Sequence, residues 1–82
     1  MSDYITSDTA EATYLIVKSK PPKFIDYDKP RFEFTFEDNG LKITELANEY
    51  ITGNALVDPA VYNRVNKKLL RIIRSRIQWG DE

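Results

Sequence analysis

Apolar positions along this chain change their spacing several times, and each change marks a predicted element. Helical spacing, in which apolar side chains recur every three or four residues, covers residues 8–19, 41–52 and 59–78. Alternation of apolar and polar residues, which is typical of a strand with one buried face, covers residues near 24–28 and 32–37. The pattern therefore predicts an α+β fold in the order helix, strand, strand, helix, helix (αββαα).

The two predicted strands form a β-hairpin with one aromatic face. Phe32, Phe34 and Phe36 alternate with polar residues in the second strand, and Asp28-Lys29-Pro30 supplies turn chemistry between the strands. Because two strands alone are marginally stable in water, we expect helices to cover the phenylalanine face. The covering residues that helical periodicity predicts are Ile43, Leu46, Tyr50, Val65, Leu69 and Ile72.

Capping and helix-breaking residues stand at the predicted helix boundaries. A side-chain oxygen just before a helix accepts a bond from an otherwise unpaired N–H, and Asp8, Ser7 or Thr6 can do this for the first helix. Asp58-Pro59 opens the last helix, with proline at a position where its missing N–H costs nothing. Asp38-Asn39-Gly40 ends the second strand and offers a cap for the helix that follows. The predicted helix stops are Pro21-Pro22, Gly53-Asn54 and Gly80.

Size and composition describe one small domain at 1–82, with a flexible leader at 1–6 and a tail at 80–82. The chain is 41% hydrophobic, which favours a folded core over disorder. It has no cysteine and no histidine, which excludes disulfides, thiolate nucleophiles, cysteine-based zinc sites and imidazole proton shuttles. Because no long apolar run indicates a signal peptide or a membrane span, we expect a cytoplasmic protein. We also expect no cofactor and no metal.

Charge divides the chain more sharply than its net value of −1 suggests. Residues 1–58 hold six Lys/Arg and eleven Asp/Glu, whereas residues 59–80 hold six basic residues and no acid. With successive helical residues about 100° apart, five of these cations share one side of the last helix. The apolar side opposite them includes Leu69, Leu70 and Ile72. The five cations, which we call the cationic face, are Arg64, Lys67, Lys68, Arg71 and Arg74.

Several short motifs between residues 6 and 73 share the residues and spacing of a known family. They are Thr6-Ser7-Asp8, Tyr14-Leu15, Phe34-Thr35-Phe36-Glu37-Asp38, Glu49-Tyr50 and Gly53-Asn54-Ala55-Leu56-Val57, with Ala12, Leu46 and Tyr62. Taken together, they resemble a family of short phage and prophage proteins that is described only as a domain of unknown function. The resemblance implies a viral or mobile-element origin, and it supplies no catalytic residues.

The residues themselves carry no catalytic motif. The chain lacks a nucleophile elbow, a phosphate-binding loop, a dinucleotide fingerprint and a zinc-protease motif. Asp26, Asp28, Glu37 and Asp38 are better explained as solvated strand positions and a helix cap than as a metal or acid/base cluster. The phenylalanine face is better explained as core than as a stacking platform for bases. We therefore expect no enzymatic activity.

Three interpretations of the cationic face follow from charge alone. In the first, it is a solvated surface that the domain's own acids partly neutralise. In the second, it docks on a host protein with an acidic surface, and Trp79 is an additional anchor unless it packs back on the domain. In the third, it follows the phosphates of a nucleic acid, although an isoelectric point near 5.4 argues against this. A membrane is not expected as a partner.

Overall fold

The computed structural model describes residues 2–82 and shows a three-stranded antiparallel sheet with helices on one face. The strands are β1 (Ser2–Thr6), β2 (Phe24–Asp26) and β3 (Glu33–Asp38). The helices are α1 (Thr9–Lys18), α2 (Lys42–Ile51) and α3 (Pro59–Ser75), and a 3₁₀ turn (Asn39–Leu41) joins β3 to α2. The order in the sheet is β1-β3-β2. The predicted α+β class is confirmed, and the predicted hairpin is present with β3 as the central strand.

The N-terminal segment differs from the prediction of a flexible leader. Ser2–Thr6 forms the edge strand β1, which pairs antiparallel with β3 from Ser2 opposite Asp38 to Thr6 opposite Phe34. Met1 lies outside the described residues. A segment this short, with a largely polar sequence, has too little apolar alternation to indicate a strand. Its structure depends on hydrogen bonds to a strand about thirty residues further along the chain.

A buried carboxylate fixes β1 to α1. Glu11 is only 6% exposed, and its oxygens accept hydrogen bonds from the Tyr4 hydroxyl at 2.5 Å and the Thr6 hydroxyl at 2.8 Å. Asp8, one of the predicted caps, accepts from the N–H groups of Ala10 and Glu11. Burial, together with the Glu11 carboxylate, raises the pKa of Tyr4 to about 12. The phenol therefore stays protonated at neutral pH and continues to donate to Glu11.

The core lies between the helices and the inward face of the sheet. Phe34 and Phe36 of β3 are fully buried beside Ile25 of β2. Phe32 was predicted in the same strand, but it precedes β3 and is half-buried, with its ring edge-on to Tyr27 at 5.2 Å between centroids. The six predicted covering residues all pack in this core, with Ile43, Leu69 and Ile72 buried and Leu46, Tyr50 and Val65 partly buried.

The last helix ends earlier than its periodicity predicted, at Ser75 instead of residue 78. Arg76 follows in the left-handed conformation, with φ at 54°, which residues other than glycine rarely adopt. Its guanidinium carbon lies 5.1 Å from the centre of the Tyr27 ring, and Nη2 donates to the Tyr27 carbonyl at 3.2 Å. These tertiary contacts favour a stop at Arg76, so Gly80 does not end the helix.

Asp38 links the end of β3 to the start of α2. The residue at the N-cap position is Leu41, whose side chain makes no capping bond, and the predicted cap Asp38 reaches the first-turn N–H groups from three residues before it. Its carboxylate is 4% exposed and accepts from the N–H groups of Ile43 and Thr44 and from the Thr44 hydroxyl. The hydroxyl bond is the largest of the effects that hold the pKa of Asp38 below its ordinary value of 3.8. The ionised carboxylate is therefore the form that holds strand and helix together.

Phe34→Ala tests the central position of β3. Removing a fully buried ring leaves a cavity and removes apolar contacts, so we expect the free energy of unfolding to fall by about 3–5 kcal/mol. Urea denaturation followed by the fluorescence of Trp79, the single tryptophan of the chain, measures the change. Thr35→Ala, on the outer face of the same strand, is the control and should cost about 1 kcal/mol or less. A midpoint for Phe34→Ala equal to that of the wild type contradicts the assigned packing.

Asp38→Asn should destabilise the domain in a pH-dependent way. Because the pKa is depressed in the folded state, the stabilisation is present above the unfolded value of 3.8 and is lost as the pH falls through the folded value. Asp38→Asn should thus lower the melting temperature at neutral pH, and the difference from wild type should shrink as the pH is lowered below 3.8. Thermal denaturation at pH 7 and over a series of acidic pH values measures this, with Asp28→Asn in the exposed turn as control. An equal loss of melting temperature at neutral and acidic pH contradicts the role of the charge.

Candidate functional site

The cationic face has its predicted orientation on α3. Leu69 and Ile72 are buried against the core, so the opposite side of the helix faces solvent. Asp58 caps the helix by accepting from the N–H of Ala60 at 2.8 Å, and the predicted start at Pro59 is confirmed. Lys68, at the border with the core, is half-buried. The members of the cationic face that are exposed are Arg64, Lys67, Arg71 and Arg74.

These four cations make no direct salt bridge with an acid among the described residues. In the part of the chain that the structure describes, Lys68 is the one member of the cationic face with a salt bridge. The salt bridges found among these residues join Lys20 to Glu37, Lys23 to Asp3 and Lys68 to Glu82. Direct pairing with an acid of the domain is therefore found at Lys68, and the other four cations are exposed to solvent, as the first interpretation also expects.

Trp79 packs back on the domain next to Lys68. The indole is half-buried and contacts the core, and the Lys68 Nζ lies 4.5 Å from the ring centre. The same Nζ lies 2.8 Å from the Glu82 carboxylate and, by donating a hydrogen bond, holds the pKa of that carboxyl below its ordinary value. The predicted tail thus folds back toward α3. Of the two expectations for Trp79, the structure favours the packing role over an exposed anchor.

An apolar pocket of about 280 Å³ opens beside the first turns of α3. Next to it, Leu56 is 81% exposed, and Ile51 at the end of α2 is also exposed. The sequence pattern does not reveal this pocket, because its walls come from three helices and a connecting loop. The one signal was an apolar triplet, Ala55-Leu56-Val57, in a segment that is otherwise typical of a loop. The lining residues are Tyr14, Tyr50, Ala55, Val57, Pro59, Tyr62 and Asn63.

The three tyrosines of the pocket stay uncharged at neutral pH. The Tyr14 hydroxyl donates to the Glu49 carboxylate at 2.9 Å, and the Tyr62 hydroxyl donates to a backbone carbonyl of α1 at 3.1 Å. Burial raises the pKa of Tyr14, Tyr50 and Tyr62, and nearby carboxylates raise it further, Glu49 acting on the first and Asp8 on the other two. The pocket therefore combines an apolar lining with negative charge on the side formed by α1 and α2.

Reversing two charges on the cationic face should leave the fold intact. Lys67 and Arg71 lie one turn apart on the exposed side of α3, where like charges repel by a few tenths of a kcal/mol. We expect Lys67→Glu with Arg71→Glu to leave the melting temperature unchanged or slightly raised, as measured by circular dichroism. Lys68→Ala, which removes the contacts to Glu82 and Trp79, should lower it. A clear loss of stability in the double variant would mean that the face belongs to the internal packing of the domain.

The acidic residues of the described part of the chain are dispersed or have structural partners. Within residues 2–82, no group of three or more carboxylates is arranged to hold an ion. Glu37 pairs with Lys20, and Asp38 caps α2, so these two acids have structural roles.

No helix in this part of the chain is both long and apolar enough to cross a bilayer. Comparisons of the chain with protein-family models, curated proteins and solved structures found no match.

Proposed function

We propose that this chain is a small non-enzymatic binding protein, an adaptor or inhibitor, that docks on an acidic surface of another protein through its cationic face. The observation that carries the proposal is the row of exposed cations on α3 without acidic partners among the described residues. Like charges along one helix side reduce helix stability, and an acidic partner removes that repulsion. The resemblance to short phage and prophage proteins supports a host protein as the partner.

Apolar groups near the cationic face support a protein over a nucleic acid. Leu70 was predicted on the buried side of α3, but it is 39% exposed and lies on the same side as Arg74. The apolar pocket adjoins the same helix. Protein interfaces bury apolar contacts at their centre and place charges at the rim, whereas phosphate backbones are bound mainly by charge.

A nucleic acid is the second candidate, and one observation favours it. Lys67, Arg71 and Arg74 follow one another at intervals of three or four residues, or roughly one helical turn of 5.4 Å. A row of cations with this spacing can follow a phosphate backbone. The acidic remainder of the chain opposes long-range attraction to a polyanion, because the net charge is −1.

Charge reversal combined with affinity capture tests the proposal. Immobilised wild type should retain a protein from a nuclease-treated bacterial lysate, and Lys67→Glu with Arg71→Glu should abolish this capture. The matched control is Lys29→Glu with Lys42→Glu, which makes the same charge change at exposed residues outside α3. Mass spectrometry identifies proteins that wild type and control retain and the double variant loses.

Two outcomes contradict docking on a protein. The first is equal capture by the wild type and the charge-reversed variant. The second is binding of duplex DNA, measured by fluorescence anisotropy, that falls steeply with added salt and is lost in the same variant. The second outcome favours the nucleic-acid candidate.

A further inference from the structure

We infer that the apolar pocket and the cationic face form one continuous site, which binds a partner segment carrying a bulky apolar side chain beside a run of acidic residues. The inference rests on the proposed function, in which the partner is a protein with an acidic surface. It adds the chemistry of the segment that is recognised and the direction in which that segment lies along α3.

The size and lining of the pocket suit a single apolar side chain. Its volume of about 280 Å³ is just below the range of roughly 300–1,000 Å³ that is usual for small-molecule sites. Ala55, Val57 and Pro59 contribute aliphatic walls. Tyr14 is only 1% exposed, so it offers little ring face to a ligand, and the partly buried Tyr50 and Tyr62 add aromatic walls. A bulky aliphatic or aromatic side chain therefore matches the pocket best.

Asn63 connects the pocket to the cationic face. It lines the pocket, and Lys67 follows it one turn later on the same side of α3. Leu70 and Arg74 extend this strip toward the end of the helix, with Arg71 beside them. At 1.5 Å per residue, Asn63 and Arg74 are about 16 Å apart along the axis. An extended segment covers this distance with about five residues.

The charges around the pocket set the direction of the bound segment. Glu49 accepts from Tyr14, and Asp8 lies close enough to raise the pKa of Tyr50, so carboxylates flank the side formed by α1 and α2. Beyond Asn63, the exposed charged residues of α3 are all cationic. Acids of the partner are repelled on the first side and attracted on the second. The anchor therefore lies at the start of α3, and the acids follow toward its end.

Short fluorescent peptides separate the contributions of the anchor and the acids. The full probe has one phenylalanine next to about five glutamates, the number that spans the strip, and is made in both sequence orders. A second probe has glycine for phenylalanine, and a third has glutamine for every glutamate. Fluorescence anisotropy at low salt measures Kd for each probe with the wild type, with Val57→Ala and with Lys67→Glu plus Arg71→Glu.

We expect the full probe in one order to bind the wild type most tightly. Loss of the phenylalanine, loss of the glutamates and reversal of the charges on α3 should each raise Kd about tenfold or more. Val57→Ala should weaken the full probe but not the glycine probe. Phe24→Ala, an apolar truncation on the exposed face of β2, is the matched control and should bind as the wild type does.

Amide chemical shifts locate the anchor independently of any pocket variant. Adding the full probe to ¹⁵N-labelled wild type should shift the resonances of Ala55, Val57 and Asn63, and the glycine probe should leave them unchanged. Equal binding of the full and glycine probes, with no shift at the pocket, overturns the inference and leaves the proposed function standing.

Two further outcomes contradict the proposed function or the protein nature of the partner. Binding of the full probe that is insensitive both to its glutamates and to the charges on α3 argues against the proposed function itself, and with it against the continuous site. Displacement of the full probe by duplex DNA, without any shift at the pocket resonances, overturns the inference in favour of a nucleic acid.

Discussion

The burial of one face of β3 is the constraint on which the rest of the domain depends. This central strand directs Phe34 and Phe36 inward, where both are fully buried. A strand face of this kind is stable only under a cover of apolar helix surface. Two carboxylates bring that cover into place, because Glu11 ties α1 to β1 and Asp38 ties α2 to β3. The third helix completes the cover with Leu69 and Ile72, which leaves its charged side outside.

The outer face of the sheet carries exposed apolar side chains and charged residues that form salt bridges. Thr35 lies between Ile5 of β1 and Phe24 of β2, and the latter two are exposed. Asp3 stands opposite Glu37 in the register, a like-charge pair that is unfavourable unless it is offset. Lys23 and Lys20 provide that offset through salt bridges to Asp3 and Glu37, respectively. Lys20 and Lys23 thus offset the acids of the sheet, whereas the exposed cations of α3, like Lys29 and Lys42, have no salt bridge among the described residues.

The candidate site lies at the connection between α2 and α3, two of the helices that cover the core. Between α2 and α3 the chain crosses residues 52–58, and the loop leaves an apolar pocket against rings of all three helices. Because α3 begins there, the pocket is next to the start of the cationic face. Packing of the core alone requires only the inward side of α3. The outward charges and the neighbouring pocket are therefore not explained by core packing, and they are the two features on which the proposed recognition of an acidic protein segment rests.

Features that depend on nearby residues were determined by the sequence itself. Helices α1 and α2 have their predicted bounds within one residue at each end, and the stop at Gly53, with φ at 81°, agrees with its prediction. The start of α3 at Pro59 and the exposure of four of the five cations were also predicted correctly, whereas Lys68 is half-buried and Leu70 is exposed. Periodicity and capping succeed here because they act over one or two helical turns.

The tertiary structure alone decided the features that join distant parts of the chain. Pairing with β3 makes Ser2–Thr6 a strand, and Arg76 ends α3 where it meets Tyr27, 49 residues away in sequence. The position of Trp79 beneath Lys68 and the pocket between three helices have the same origin. Such contacts depend on how elements pack in space, and the local pattern of apolar and polar residues does not encode them.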